Sequence, residues 1–152
     1  MNDDSAPMTI SIRPARSGDA ARLAELATQL GYPSDEAALQ SRLQQVRAEA
    51  DAQVFVAVDR GERVLGWTHV AGRTSLEDAP CAELAGLIVA DGARGAGVGA
   101  RLLRAAEAWA REHGYAKLRV RSNVVRERAH RFYRREGYAE RKRQVVFDKA
   151  LV

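Results

Sequence analysis

Apolar and polar residues alternate in "ISIRPA" (Ile10 to Ala15), which predicts a short strand closed by a proline. The spacing then turns helical in "DAARLAELATQL", where Leu23, Leu26, Ala27 and Leu30 form one stripe. Ser17 is the expected cap of that helix and Gly31 its stop. A second helix is expected in "YPSDEAALQSRLQQVRAEA", capped by Ser34, with acids in its first turn and Leu39, Leu43 and Val46 toward the core. "QVFVAVD" and "ERVLGWTHVA" read as a hairpin turning at Arg60-Gly61. After a polar loop to Pro80, "CAELAGLIV" is a mostly apolar strand. "VGARLLRAAEAWAREHG" sets Val98, Leu102, Ala106, Trp109 and Ala110 on one side and stops at Gly114. "KLRVRS" is a further strand, "RERAHRFYRREG" a helix and "QVVFDKAL" a last strand. The order predicts one α/β domain over residues 1–152, antiparallel in its first half and closing with a βαβ crossover.

Composition narrows the class. A chain of 152 residues supports one core and is too short for two. Cys81 stands alone, so no intramolecular disulfide ties the fold to an oxidising compartment. "MNDDSAPMT" lacks the basic and apolar regions of a signal peptide, and residues 1–8 are expected to be a flexible tail. No apolar run approaches the roughly 20 residues of a membrane span, which points to the cytoplasm. Three scattered histidines and one cysteine make no metal-ligand cluster.

The net charge of +4 is unevenly placed. Arg111 to Arg143 holds twelve Lys/Arg against four Glu, a local +8 that leaves −4 elsewhere. A basic half suggests a polyanionic ligand such as nucleic acid, acidic lipid or a phosphorylated cofactor. A solvated arginine-rich helix face accounts for the same charges.

The most informative stretch is "GLIVADGARGAGVGARLL", Gly86 to Leu103. A strand runs into a glycine-rich turn that opens a helix, so backbone N–H groups lie uncovered where the helix dipole is positive. With few side chains in the way, a pyrophosphate can approach those amides. A Walker loop needs Gly-Lys-Ser/Thr, which is absent. "GAGVGA" (Gly95 to Ala100) satisfies the short dinucleotide pattern, but it does not follow the first strand, and "KLRVRS" offers no acid for a ribose. "RGAGVG", with Arg94, Gly97 and Gly99, satisfies R/Q-x-x-G-x-G/A after an apolar strand.

With these features the chain resembles the GNAT superfamily of acyl-CoA-dependent N-acetyltransferases along nearly its whole length. "IRPA" before a capped helix resembles the family's opening, "LIVADGARGAGVGARLL" its acetyl-CoA motif, and "AHRFYRREGY" (Ala129 to Tyr138) its late helix. The resemblance implies a mixed, mostly antiparallel sheet flanked by about four helices, with a central parallel strand pair splayed to admit acetyl-CoA. It implies that the amides of Arg94, Gly95, Ala96, Gly97, Val98 and Gly99 bind the pyrophosphate. The backbone of Leu87, Ile88 and Val89 would pair with the pantetheine arm like an added strand. The Leu87 N–H would polarise the thioester carbonyl.

Transfer to an amine requires the amine to lose a proton and the thiolate to gain one. Tyr133, four residues before Gly137, holds the position of the family's general-acid tyrosine. Glu83, eleven residues before Arg94, holds that of a glutamate base, and its spacing of four from Leu87 predicts a shared strand face. His69 competes as base, and Trp67 as a residue stacking on substrate; each also reads as a structural side chain. Cys81 shares Glu83's face and permits an acetyl-cysteine route, against a plain buried thiol. The family's pantetheine-binding asparagine is replaced by Arg126, so Asn123 is the candidate for the arm and Arg126 for a CoA phosphate.

The leading expectation is therefore acetyl transfer from acetyl-CoA to a primary amine by direct attack in a ternary complex. Glu77, Asp78 and Asp35 suggest a small cationic acceptor, with a protein or peptide amine as the alternative. A non-catalytic acyl-CoA-binding module is a second class. Nucleic-acid binding by Arg126 to Arg135 ranks low because Phe132 and Tyr133 are needed inside. Homodimers are common in the family.

Overall fold

The protein is described as a computed structural model over residues 9–152, so the tail expected at residues 1–8 lies outside the described residues. Five strands form one sheet in the order β1 (Ser11–Pro14), β2 (Ala52–Val58), β3 (Val64–Arg73), β4 (Cys81–Val89) and β5 (Leu118–Val120). Each neighbour pairs antiparallel except β4 with β5, which run parallel. The helix between those two, α3 (Val98–Glu112), supplies the crossover. Helices α1 (Ala20–Gln29) and α2 (Glu36–Ala48) lie between β1 and β2, and α4 (Glu127–Arg135) follows β5. Residues up to Val120 form one compact unit and Arg121–Val152 a second.

In the first unit Leu26 and Leu102 are fully buried with Val56, Val58 and Val98 between sheet and helices. Leu23 and Ala27 are buried beside Leu26, and Leu30 is partly so, as the stripe on α1 predicts. On α3 the predicted face is buried at all five positions. That helix sits close against β3: a Cβ at Gly66 would fall 2.7 Å from the Ile88 carbonyl and 3.1 Å from Leu102 Cδ1.

Several local expectations change. Ser17 does not cap α1; residues 17–19 form a 3₁₀ turn in which the Asp19 carboxylate accepts from the Arg16 N–H at 2.7 Å. Arg13 grips both oxygens of that carboxylate at 2.8 and 3.0 Å, which fixes the entry to the helix. Asp35, not Ser34, caps α2, accepting from the Ala38 N–H. Ser34 instead donates to the Tyr32 carbonyl. The strand expected at "QVVFDKAL" is not formed: residues 138–152 hold no helix or strand, and Val145, Val146 and Phe147 are exposed. A run of β-prone residues becomes a strand only with a ladder partner, and β5 is the last strand of the sheet as described.

Candidate active site

β4 changes partners partway along its length. It pairs with β5 only through Ala82–Leu118, Glu83–Arg119 and Leu84–Val120. Beyond Leu84, among the described residues, β3 is its only partner. The Ala90 N–H donates to the Leu65 carbonyl at 2.8 Å, and the pairs Trp67–Ile88 and His69–Gly86 follow at two-residue steps. Peptide groups in an antiparallel ladder alternate in direction. The N–H and C=O of Leu87 and Val89 therefore point away from β3, along the edge that β5 has left. Ile88 faces β3 with its backbone and the core with its side chain.

The same strand then enters the glycine loop. Gly95 and Gly97 take φ of +86° and +79°, values that L side chains avoid. Nothing lies within 4 Å of where a Cβ would stand at either position. The first α3 bond after the loop runs from the Arg101 N–H to the Gly97 carbonyl at 3.1 Å, so Val98, Gly99 and Ala100 offer N–H groups ahead of it. Of the six amides read from the sequence, Arg94 and Ala96 turn inward to the Asp91 and Ala93 carbonyls at 3.4 and 3.3 Å. The Arg94 guanidinium pairs with Asp91 at 3.1 Å. The amides of Gly95, Gly97, Val98 and Gly99 have no such backbone bond among the described residues, which leaves them free to meet an anion.

A second set of side chains occupies the opposite face of the sheet from α3. His69 opposes Gly86 while Val70 opposes Leu84, so Ala85 is an extra residue, a β-bulge. Register places Glu83 across from Ala71 and Leu87 across from Thr68, residues of opposite parity on β3. Glu83 and Leu87 therefore lie on opposite faces, not the shared face their spacing predicts, because the bulge inserts one residue between them. Glu83 instead shares a face with Trp67, His69 and Arg73. It is buried, and its Oε1 stands 3.8 Å from Arg73 Nε. Burial lowers the His69 pKa, with Glu49 opposing and Arg73 reinforcing, so the imidazole is neutral at pH 7. Cys81 is buried on this face beside Glu83. Neither the bulge nor the Arg73 partnership shows in the sequence, since both are products of pairing.

The remaining candidates belong to the second unit. Burial pushes the Tyr133 phenol up to about 12, against a smaller opposing effect of Arg126. The hydroxyl thus stays protonated and able to donate. The ring meets Phe132 and Tyr138 edge-on at 5.2 and 6.0 Å. Arg126 stands at the N-terminus of α4, and Asn123 accepts from the Val125 N–H at 3.2 Å through its side chain. His130 bonds the Asn123 carbonyl at 2.9 Å, which gives it a local structural role. In the first unit His113 stacks on Trp109 at 4.1 Å and bonds its carbonyl, closing α3.

A parallel strand pair that separates at a bulge, followed by a bare-amide loop at a helix mouth, defines an acyltransferase class of site. The acetyltransferase (GNAT) family model matches residues 20–138, and the chain belongs to that family as an acetyl-CoA-dependent N-acetyltransferase. It is similar to an aminoglycoside N(6')-acetyltransferase type 1 of Stenotrophomonas maltophilia, 35% identical over 145 residues that span 93% of this chain and 94% of that protein. The crystal structure of the aminoglycoside 6'-N-acetyltransferase AAC(6')-Ih from Acinetobacter baumannii superimposes with a TM-score of 0.83 at 19% identity, covering 95% of this chain and 100% of that one. That of AAC(6')-Iy in complex with CoA gives 0.85 at 17% identity, over 95% and 97%. No described helix is long and apolar enough to cross a membrane.

Proposed function

We propose that this enzyme acetylates a primary amine of an aminoglycoside-like small cationic molecule by direct attack within a ternary complex. The observation that carries the reading is the unpaired edge of β4 running straight into the loop of uncovered amides. An extended pantetheine arm can lie along Leu87, Ile88 and Val89, with its diphosphate at Gly95, Gly97, Val98 and Gly99. The acceptor then approaches from the face that bears Glu83. The substrate class is supported by the name of the relative with 35% identity. The family match crosses both compact units, which supports reading residues 1–152 as a single domain. A cytoplasmic location suits the lone buried thiol of Cys81, which such a compartment keeps reduced.

In this reading Glu83 takes a proton from the acceptor ammonium, directly or through water. The freed amine attacks the thioester carbon, and the carbonyl oxygen gathers charge at the Leu87 N–H. The C–N bond forms, the C–S bond breaks, Tyr133 gives its phenolic proton to the departing thiolate, and the second proton lost by nitrogen as the amide forms restores the phenol. Asn123 and Arg126 are assigned to the arm and a phosphate of the donor.

Calorimetry with CoA followed by a free-thiol release assay on an aminoglycoside bearing a 6'-amine tests the proposal. Cofactor binding with acceptor-dependent thiol release is the expected result. Binding without release on that or any other amine would identify a non-catalytic acyl-CoA module. No binding at millimolar CoA would remove the site.

A further inference from the structure

Three side chains on the acceptor face have buried polar atoms without a hydrogen bond; Arg119 Nη2 still has the Asp78 carboxylate 3.6 Å away, which leaves Trp67 and His69 on β3. Trp67 Nε1 and His69 Nε2 are both buried, and neither has a hydrogen-bond partner among the described residues. They stand two residues apart on β3, hence on one face, opposite Ile88 and Gly86 of β4. The Trp67 ring leans over Gly86: a Cβ there would lie 3.1 Å from Cζ3 and 3.3 Å from Cη2. Gly86 immediately precedes Leu87, so the residues that carry both orphaned nitrogens pair with β4 beside the strand position where the thioester would be polarised. Buried polar groups without partners are costly, and clefts are where proteins keep them.

The two groups make different demands. An indole N–H only donates. Burial keeps the imidazole neutral, with Glu49 from the end of α2 and Arg73 on β3 acting on it, and Glu83 on β4 and Arg119 on β5 share its face. In the tautomer with its proton on Nδ1, His69 Nε2 accepts. A hydroxyl group accepts from one and donates to the other. An ammonium can satisfy only the imidazole, because it has no lone pair for the indole.

We propose that Trp67 and His69 form a hydroxyl-recognition subsite, which selects a hydroxylated amine, as in an amino sugar, over a plain polyamine or a lysine side chain. The inference rests on the acetyl-transfer reading above and adds to it what the site requires beyond an amine.

The test compares kcat/KM for three acceptors: an aminoglycoside with hydroxyls beside its primary amine, its deoxy analogue lacking them, and spermidine. The wild type should prefer the hydroxylated compound. Trp67→Phe, which removes the donor and keeps an aromatic ring, should lower kcat/KM for that compound by about tenfold or more and leave the deoxy analogue within twofold. His69→Phe should do the same, and His69→Gln, which retains an acceptor, should recover part of the loss. Unchanged CoA affinity identifies folded variants, and the His69 pair serves if the Trp67 variant does not fold. Equal losses on hydroxylated and deoxy acceptors, or a wild type indifferent to the hydroxyls, would overturn the subsite while leaving acetyl transfer standing. A wild type that binds CoA but acetylates no amine would remove the catalytic reading, and the subsite with it.

Discussion

At the level of single side chains, Tyr133 is the proposed general acid. Its phenol, raised to about 12, holds its proton through any assay range. Tyr133→Phe should therefore cut kcat by roughly 10²-fold with little change in CoA affinity, read by steady-state kinetics beside calorimetry. The same shift enters stability: a group raised on folding contributes fully below its unfolded value near 10, and the contribution is lost as pH passes about 12. Wild type should thus lose more stability than the phenylalanine variant between those limits, as equilibrium denaturation would measure. His69 has the opposite sign. Its lowered value means that protonation works against the fold, so stability falls as pH drops from about 6.5 through the folded value, and His69→Gln should flatten that acid limb.

For the elements, β3 and β4 are the pair on which the site depends. Gly66→Ala would press a methyl onto the Ile88 carbonyl, a backbone atom that cannot swing aside, and onto Leu102 of α3. A melting curve should show a loss of about 1–3 kcal/mol. Leu102→Ala, in the fully buried centre, should cost about 2–5 kcal/mol without altering CoA contacts. The strand at Cys81–Val89 and the buried face of α3 were legible because period and burial coincide there. The bulge at Ala85 was not, because an inserted residue is defined only against its partner strand, and it moved Glu83 to the other face. "QVVFDKAL" misled for a related reason, since β-propensity without a partner describes a preference and not a strand. Caps failed by one residue where Asp35, an adjacent acid, competed with Ser34 for the same amides.

Across the molecule, charge and sheet geometry divide the work. The basic residues gather late in the chain, among them Arg126, Arg128, Arg131, Arg134 and Arg135 around α4. If that charge serves the donor's phosphates, CoA affinity should fall steadily as salt rises past about 0.15 M, where exposed charges are screened beyond roughly 8 Å. Acceptor preference, which the proposed subsite on β3 would set through hydrogen bonds, should respond far less. The bare backbone of the glycine loop was readable at this scale because it needs only missing side chains, but that Arg94 and Ala96 would turn their amides inward was not. The proposed acceptor face was not, since it is assembled from β3, β4 and the end of α2.

The early parting of β4 and β5 has a dynamic corollary. Amides at Leu87 and Val89 face outward from a ladder that lacks its other half, so they should trade their hydrogens for deuterium quickly in the empty enzyme. A donor bound as proposed would complete that ladder, and protection should then rise at these two positions more than at Ile88, whose bond to β3 exists already. The enzyme would be, in effect, a sheet one strand short whose substrate supplies the strand.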